Sequence, residues 1–200
     1  MNFLERLNVY FYHSDREKQW HHDPARILGW SSEQSQFTRF TVFERELDFQ
    51  NKSVLDLGCG YGDLAHFLNV KQRLKHYTGV DFHKSFIKQA KLEASNTMHF
   101  QHGNFSQMKL PKHDIAIASG SLNYQSSDKH YLQKAIYAGY KASNEAFGFN
   151  LLNSEYFRED RLLKAHNLSD VISICRQLTD EVQVIDDYME EDFTIILRKS

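Results

Sequence analysis

Apolar positions change their spacing near residue 50. Before it, Phe37, Phe40, Val42, Phe43 and Leu47 recur at mostly helical intervals behind Ser31-Ser32-Glu33, which has the composition of a helix start. Residues 1–50 therefore read as a helical N-terminal extension. After it, short β-rich runs alternate with helical segments. The pattern predicts strands at Val54 to Leu57, Tyr77 to Val80, Met98 to Gln101, Asp114 to Ala118 and Ala146 to Leu152. Helices are predicted around Leu64 to Leu68, Phe86 to Leu92, Tyr131 to Tyr140 and Val171 to Leu178. The fourth strand is apolar without interruption, as expected of a strand buried on both faces. The last two runs, Val182 to Ile185 and Phe193 to Leu197, are separated only by Asp186 to Asp192, too short for a crossover helix, so they should pair as an antiparallel hairpin.

Strand and helix alternation predicts an α/β fold: a doubly wound, seven-stranded, mostly parallel sheet, closed by the C-terminal antiparallel hairpin and preceded by the helical extension. No repeat or Pro/Gly-rich linker divides the chain, so residues 1–200 are expected to form a single domain, with 1–50 as extension or lid and 51–200 as the ligand-binding core.

Composition adds exclusions. A formal charge of -2 gives no basic footprint for nucleic acid, which favours a small-molecule substrate. Met1 to Asp15 carries Glu5, Arg6 and Asp15 and no long apolar run, so neither a signal peptide nor a membrane span is read there and a cytoplasmic location is expected. Cys59 and Cys175 are too few for a zinc cluster, and no disulfide is expected. The histidines are scattered, and His21-His22 has no partner at ligand spacing, so no metal is expected. Oligomeric state is not encoded in this pattern.

The chemistry concentrates in Gly58-Cys59-Gly60-Tyr61-Gly62, directly after the first predicted strand. Glycines there permit positive φ and close approach of a ligand to the backbone, and a following helix would direct N–H groups at it. A nicotinamide dinucleotide fingerprint would place its third glycine at position 63, where this chain has Asp63. A pyrophosphate would meet a carboxylate in the first helical turn. Asp63 either complements the helix dipole or contacts the ligand. Asp81 ends the second predicted strand about twenty residues downstream, where a carboxylate can accept hydrogen bonds from both hydroxyls of a ribose or cap the next helix.

Together Val54 to Gly62, Thr78 to Asp81, Gly103 to Phe105 and Asp114 to Gly120 resemble, in order and spacing, the class I S-adenosylmethionine (SAM)-dependent methyltransferases. The resemblance covers about Lys52 to Lys199 and extends to small bacterial-type members with a comparable extension and closing tail. It implies a Rossmann-like core that binds SAM and releases S-adenosylhomocysteine. It implies cofactor contacts from Asp56, Gly58, Cys59, Gly60, Asp81, Phe82, Asn104, Phe105 and Ser119. Phe82 and Phe105 would sandwich the adenine. Asn104 stands where the family commonly has an acid; its amide oxygen could accept the adenine amino proton.

Strand ends at the switch of strand order form the ligand crevice, which puts Asn123 and Tyr124 on the substrate side, although loop polarity explains them equally. From the extension, Arg39 could pair with the SAM carboxylate and Trp30 could pack over the methionine part. Tyr12, His13, His21 and His22 are the available general bases if one is needed. Ser119-Gly120-Ser121-Leu122 is unlike the Asn/Asp-Pro-Pro-Tyr/Phe loop of amide- and amine-methylating enzymes, and no cysteine follows the fourth strand for cytosine chemistry. The expected activity is methyl transfer to an oxygen or nitrogen of a small molecule. A noncatalytic SAM-binding module and a nicotinamide-dependent oxidoreductase are the alternatives.

Overall fold

Local capping sets the elements of the extension. The computed structural model describes residues 1–199. Helix α1 (Phe3–Gln19) opens on a capping box in which the Asn2 side chain accepts the Glu5 amide and the Glu5 carboxylate accepts the Asn2 amide. A four-residue helix, α2 (Pro24–Ile27), follows with Asp23 accepting the Arg26 amide. Helix α3 (Glu33–Glu46) starts at Ser32, whose hydroxyl accepts the Ser35 amide, where the apolar spacing indicated a helix. The spacing did not resolve α1, because only Val9 and His13 of that helix are buried and the apolar stripe is too thin to register.

Seven strands follow in the order β3-β2-β1-β4-β5-β7-β6. They are β1 (Ser53–Leu57), β2 (His76–Asp81), β3 (Met98–His102), β4 (His113–Ala118), β5 (Ser143–Leu152), β6 (Val182–Ile185) and β7 (Asp192–Arg198). The first five pair in parallel, with Val54 opposite both Tyr77 and Ile115. The closing pair is antiparallel as expected, and β7 inserts between β5 and β6 with Phe149 opposite Ile195.

Period-two alternation sorts the strand side chains to two apolar layers. Val54, Ile115 and Ile117 pack with α3, α4 (Asp63–Lys71) and α5 (Lys84–Leu92), around Phe43, Phe100 and Leu68. Leu55, Leu57, Ala116 and Ala118 pack with α6 (Tyr131–Ala142) and α7 (Leu168–Cys175), around Ile136, Phe147 and Phe193. Helix α7 begins three residues before its predicted start. Asn167 caps it by accepting the Ser169 and Asp170 amides, a polar signal that apolar periodicity does not contain.

The strand order reverses between β1 and β4, so their carboxyl ends open a crevice. Helices α1 and α3 and the Leu28–Ser31 turn between α2 and α3 line it. No helix among the described residues is long and apolar enough to cross a membrane.

Candidate active site

The turn after β1 forms the floor of this crevice. Gly58 adopts φ +84°, and a Cβ there would lie 2.3 Å from the Ser121 Cβ, so a side chain is excluded by conformation and by space. Gly62 has a different duty: it caps α4 at φ +86°, and a Cβ would lie 2.6 Å from the Phe100 ring. The amides of Gly58 and Cys59 donate to the Val80 carbonyl, that of Gly60 to Asp81 and that of Gly62 to the Cys59 carbonyl. These four N–H groups are thus committed within the chain, so they hold the turn rather than a ligand. Asp63 takes the first position of α4, where its charge suits the helix dipole, and its Oδ2 accepts the Gln36 amide at 2.8 Å.

Two buried carboxylates face the crevice. Asp56 accepts the Tyr77 hydroxyl on Oδ2 while Oδ1 has no partner. Desolvation, helped by the charges of Asp81 and Asp63, pushes its pKa up to about 7. Asp81 is raised to about 6 by burial, against hydrogen bonds that favour its charge: Oδ1 accepts the His83 amide at 2.7 Å and Oδ2 the Gly60 amide at 3.0 Å. Each oxygen keeps a second lone pair for a ligand hydroxyl. His83, not Asp81, is the cap residue of α5.

Asn104 corrects an expectation. Its Oδ1 accepts both the Ser106 amide at 3.1 Å and the Ser106 hydroxyl at 2.8 Å, and its Nδ2 is buried without a partner. A backbone N–H can only donate, which fixes the amide orientation, so Asn104 offers a ligand a donor rather than the anticipated acceptor. Ser119 likewise has a buried hydroxyl without a partner. Cys59 is buried with its thiol pKa raised by desolvation, which suits packing and not nucleophilic attack.

Arg39 is more committed than the sequence suggested. Its guanidinium forms a buried ion pair with Asp192, donates to the Ser35 carbonyl (2.7 Å) and hydroxyl (3.0 Å), and lies over Trp30 at 4.9 Å. Only Nε lacks a partner, so the two-pronged grip expected on a ligand carboxylate is already occupied. Asp192 is held in turn by Asn150, whose Oδ1 accepts the Gly120 amide at 2.9 Å.

Across the crevice, His13 on α1 meets Tyr124 after β4. Nδ1 of His13 lies 2.9 Å from the Ile27 carbonyl, and Nε2 lies 2.8 Å from the Tyr124 hydroxyl. Asn123 is buried and its Oδ1 accepts the Leu152 amide, so it fastens the loop to β5. His21 and His22 are exposed in the turn between α1 and α2, outside the cavity, which removes them as bases.

Arg39, Asp56, Gly58, Cys59, Gly60, Asp81, Phe82, Asn104, Phe105, Ser119, Trp30, Asn123 and Tyr124 all line one cavity of about 220 Å³. Sequence reasoning missed Asp192 and Tyr131 there, and Asn150 behind Asp192, none of which carries a local motif.

A family model described as a methyltransferase domain matches residues 48–193. The chain belongs to this methyltransferase domain family. The Mycobacterium tuberculosis protein Rv1506c, which carries a methyltransferase name, is 27% identical over 157 residues, 74% of this chain and 93% of its own length. Among solved structures, the Synechocystis magnesium protoporphyrin IX methyltransferase, crystallised with bound S-adenosylhomocysteine, superposes with a TM-score of 0.70 at 15% identity, covering 97% of this chain and 98% of that one. An S-adenosylmethionine-dependent methyltransferase from Clostridium acetobutylicum gives 0.66 at 15% identity, covering 90% and 98%. At these identities the structures speak for the fold.

Proposed function

We propose that this methyltransferase carries the methyl group of S-adenosylmethionine to an oxygen or nitrogen of a small-molecule acceptor, leaving S-adenosylhomocysteine. The observation that carries this reading is the set of buried polar atoms without partners in one cavity: Asp56 Oδ1, Asn104 Nδ2, Ser119 Oγ and Arg39 Nε. Leaving each unpaired costs about 1–3 kcal/mol. A ligand with an ammonium, a carboxylate and a purine offers a complement to all of them.

In this reading Asp56 takes the ammonium and Asp81 the ribose hydroxyls, Phe82 and Phe105 flank the adenine, and Asn104 donates to a ring nitrogen. Arg39 Nε and Ser119 serve the amino-acid end beneath Trp30. The bound donor supplies an activated methyl group, so the chain's own task is to align the acceptor and keep water out. The near-neutral surface charge supports a small acceptor over nucleic acid. Incubation with methyl-labelled SAM and fractionated metabolite extracts should move label into a small-molecule fraction. Binding of SAM with no transfer across all fractions would instead make the chain a binding module.

A further inference from the structure

Beyond the cofactor half, the cavity holds a coupled pair that the reading above leaves unassigned. A carbonyl can only accept, so His13 carries its proton on Nδ1 for Ile27, and the neutral ring presents a bare Nε2 to which Tyr124 donates its hydroxyl proton. We propose, resting on the methyltransferase reading, that this couple takes the proton of an aromatic hydroxyl, so that the acceptor methylated here is a phenol-type oxygen rather than an amine.

The surroundings select that acceptor. Tyr12, Tyr124, Tyr131 and Phe157 contribute rings to the cavity, with Leu152 and Leu163 beside them. Such walls suit a flat, uncharged ring. The Tyr131 hydroxyl is buried without a partner in the same cavity, which favours an occupant carrying a polar atom. A neutral amine attacks through its lone pair without prior loss of a proton. A hydroxyl becomes a strongly acidic oxonium as its bond to carbon forms, so a weak neutral base within hydrogen-bond reach is sufficient and useful.

The groups facing His13 agree. Tyr12 and Arg16 come from its own helix, His83 and Phe86 from the α5 side, and Tyr124 from the loop after β4. Desolvation chiefly, with the charges of His83 and Arg16, pulls His13 down to about 4, against the bond to Ile27. The ring is therefore neutral and accepting at ordinary pH.

In the step, the acceptor oxygen bonds the methyl carbon as the carbon–sulfur bond breaks, and that electron pair stays on sulfur and neutralises the sulfonium. The acceptor proton passes to Tyr124 Oη while the proton of Tyr124 passes to His13 Nε2. Tyr124 touches the acceptor and is the catalytic residue; His13 acts through it as a positioning residue and is later deprotonated by solvent.

The test uses the full chain, labelled with 15N-histidine, saturated with S-adenosylhomocysteine and titrated by NMR with p-cresol and, separately, p-toluidine. The proposal expects p-cresol to bind about tenfold more tightly than p-toluidine and to shift the His13 Nε2 resonance. Tyr124→Phe should abolish the shift while S-adenosylhomocysteine affinity stays within about twofold, and Tyr131→Phe, a second variant, should weaken p-cresol but keep the shift. Equal binding of the two probes, p-cresol binding with no His13 response, or no p-cresol binding would overturn it. Failure of S-adenosylhomocysteine itself to bind would overturn the methyltransferase reading, and the proposal with it.

Discussion

The two halves of the cavity are built by opposite means. The half beneath β1 to β3 rests on sheet ends, and its polar groups are carboxylates and amides with little access to water: Asp56 and Asp81 are both buried. The half beneath α1 is lined by neutral hydroxyls and an imidazole drawn from α1, the loop after β4 and α6, with Phe157 and Leu163 as apolar walls. Helix α1 is tied down largely by polar contacts. Glu5 accepts the Ser126 hydroxyl and Ser127 amide, Glu17 accepts the Ser85 hydroxyl, and Tyr10 stacks on His83 at 4.4 Å, while Phe3, Leu4 and Phe11 stay exposed. A sheet-anchored half can hold charge in place at a standing cost in stability. A half roofed by a surface helix keeps its chemistry neutral and its attachments individually weak.

That contrast breaks most sharply at Arg39, whose partner Asp192 is buried. Arg39→Met would strand the carboxylate and should cost about 3–5 kcal/mol in denaturant unfolding. A loss below about 1 kcal/mol would mean the pair is not desolvated as described.

Asp56 tests the standing cost. Its carboxyl keeps a proton up to about pH 7 in the folded chain but ionises near 3.8 when unfolded. Between those values unfolding releases a proton, so stability falls as pH rises. Asp56→Asn removes the liability and should be more stable than the parent by about 2–4 kcal/mol at pH 8, with the gain vanishing near pH 4. Equal stabilities at pH 8 would contradict the burial argument.

Asp81→Ala bears on the ligand. Loss of two ribose hydrogen bonds should weaken S-adenosylhomocysteine by roughly 1.5–3 kcal/mol in titration calorimetry, and unchanged affinity would refute the assignment. The smallest effect is expected at Glu5, where alanine removes half of the α1 capping box and the ties to Ser126 and Ser127, costing about 1 kcal/mol in thermal unfolding.

The same contrast explains what the sequence discloses. The nucleoside half comes from the turns at the ends of β1, β2 and β3, where a few adjacent residues set the backbone: Asp56 to Gly62, then Asp81, then Asn104 and Phe105. Apolar periodicity locates those strands, and turn chemistry locates the site. Asp192 lies 153 positions from Arg39, and His13 lies 111 from Tyr124. No local spacing records such pairings; they follow from β7 entering beside β5 and from α1 folding back over the crevice. The free atom of Asn104 is hidden from the sequence for a related reason, since the Asx turn to Ser106 decides which end of the amide remains available.

Calorimetric titration of the full chain with S-adenosylhomocysteine, S-adenosylmethionine and NAD decides which nucleotide the crevice takes. Both sulfur compounds should bind and NAD should not, because Asp63 stands where a pyrophosphate site needs glycine. Binding of NAD with neither sulfur compound would contradict the methyltransferase reading.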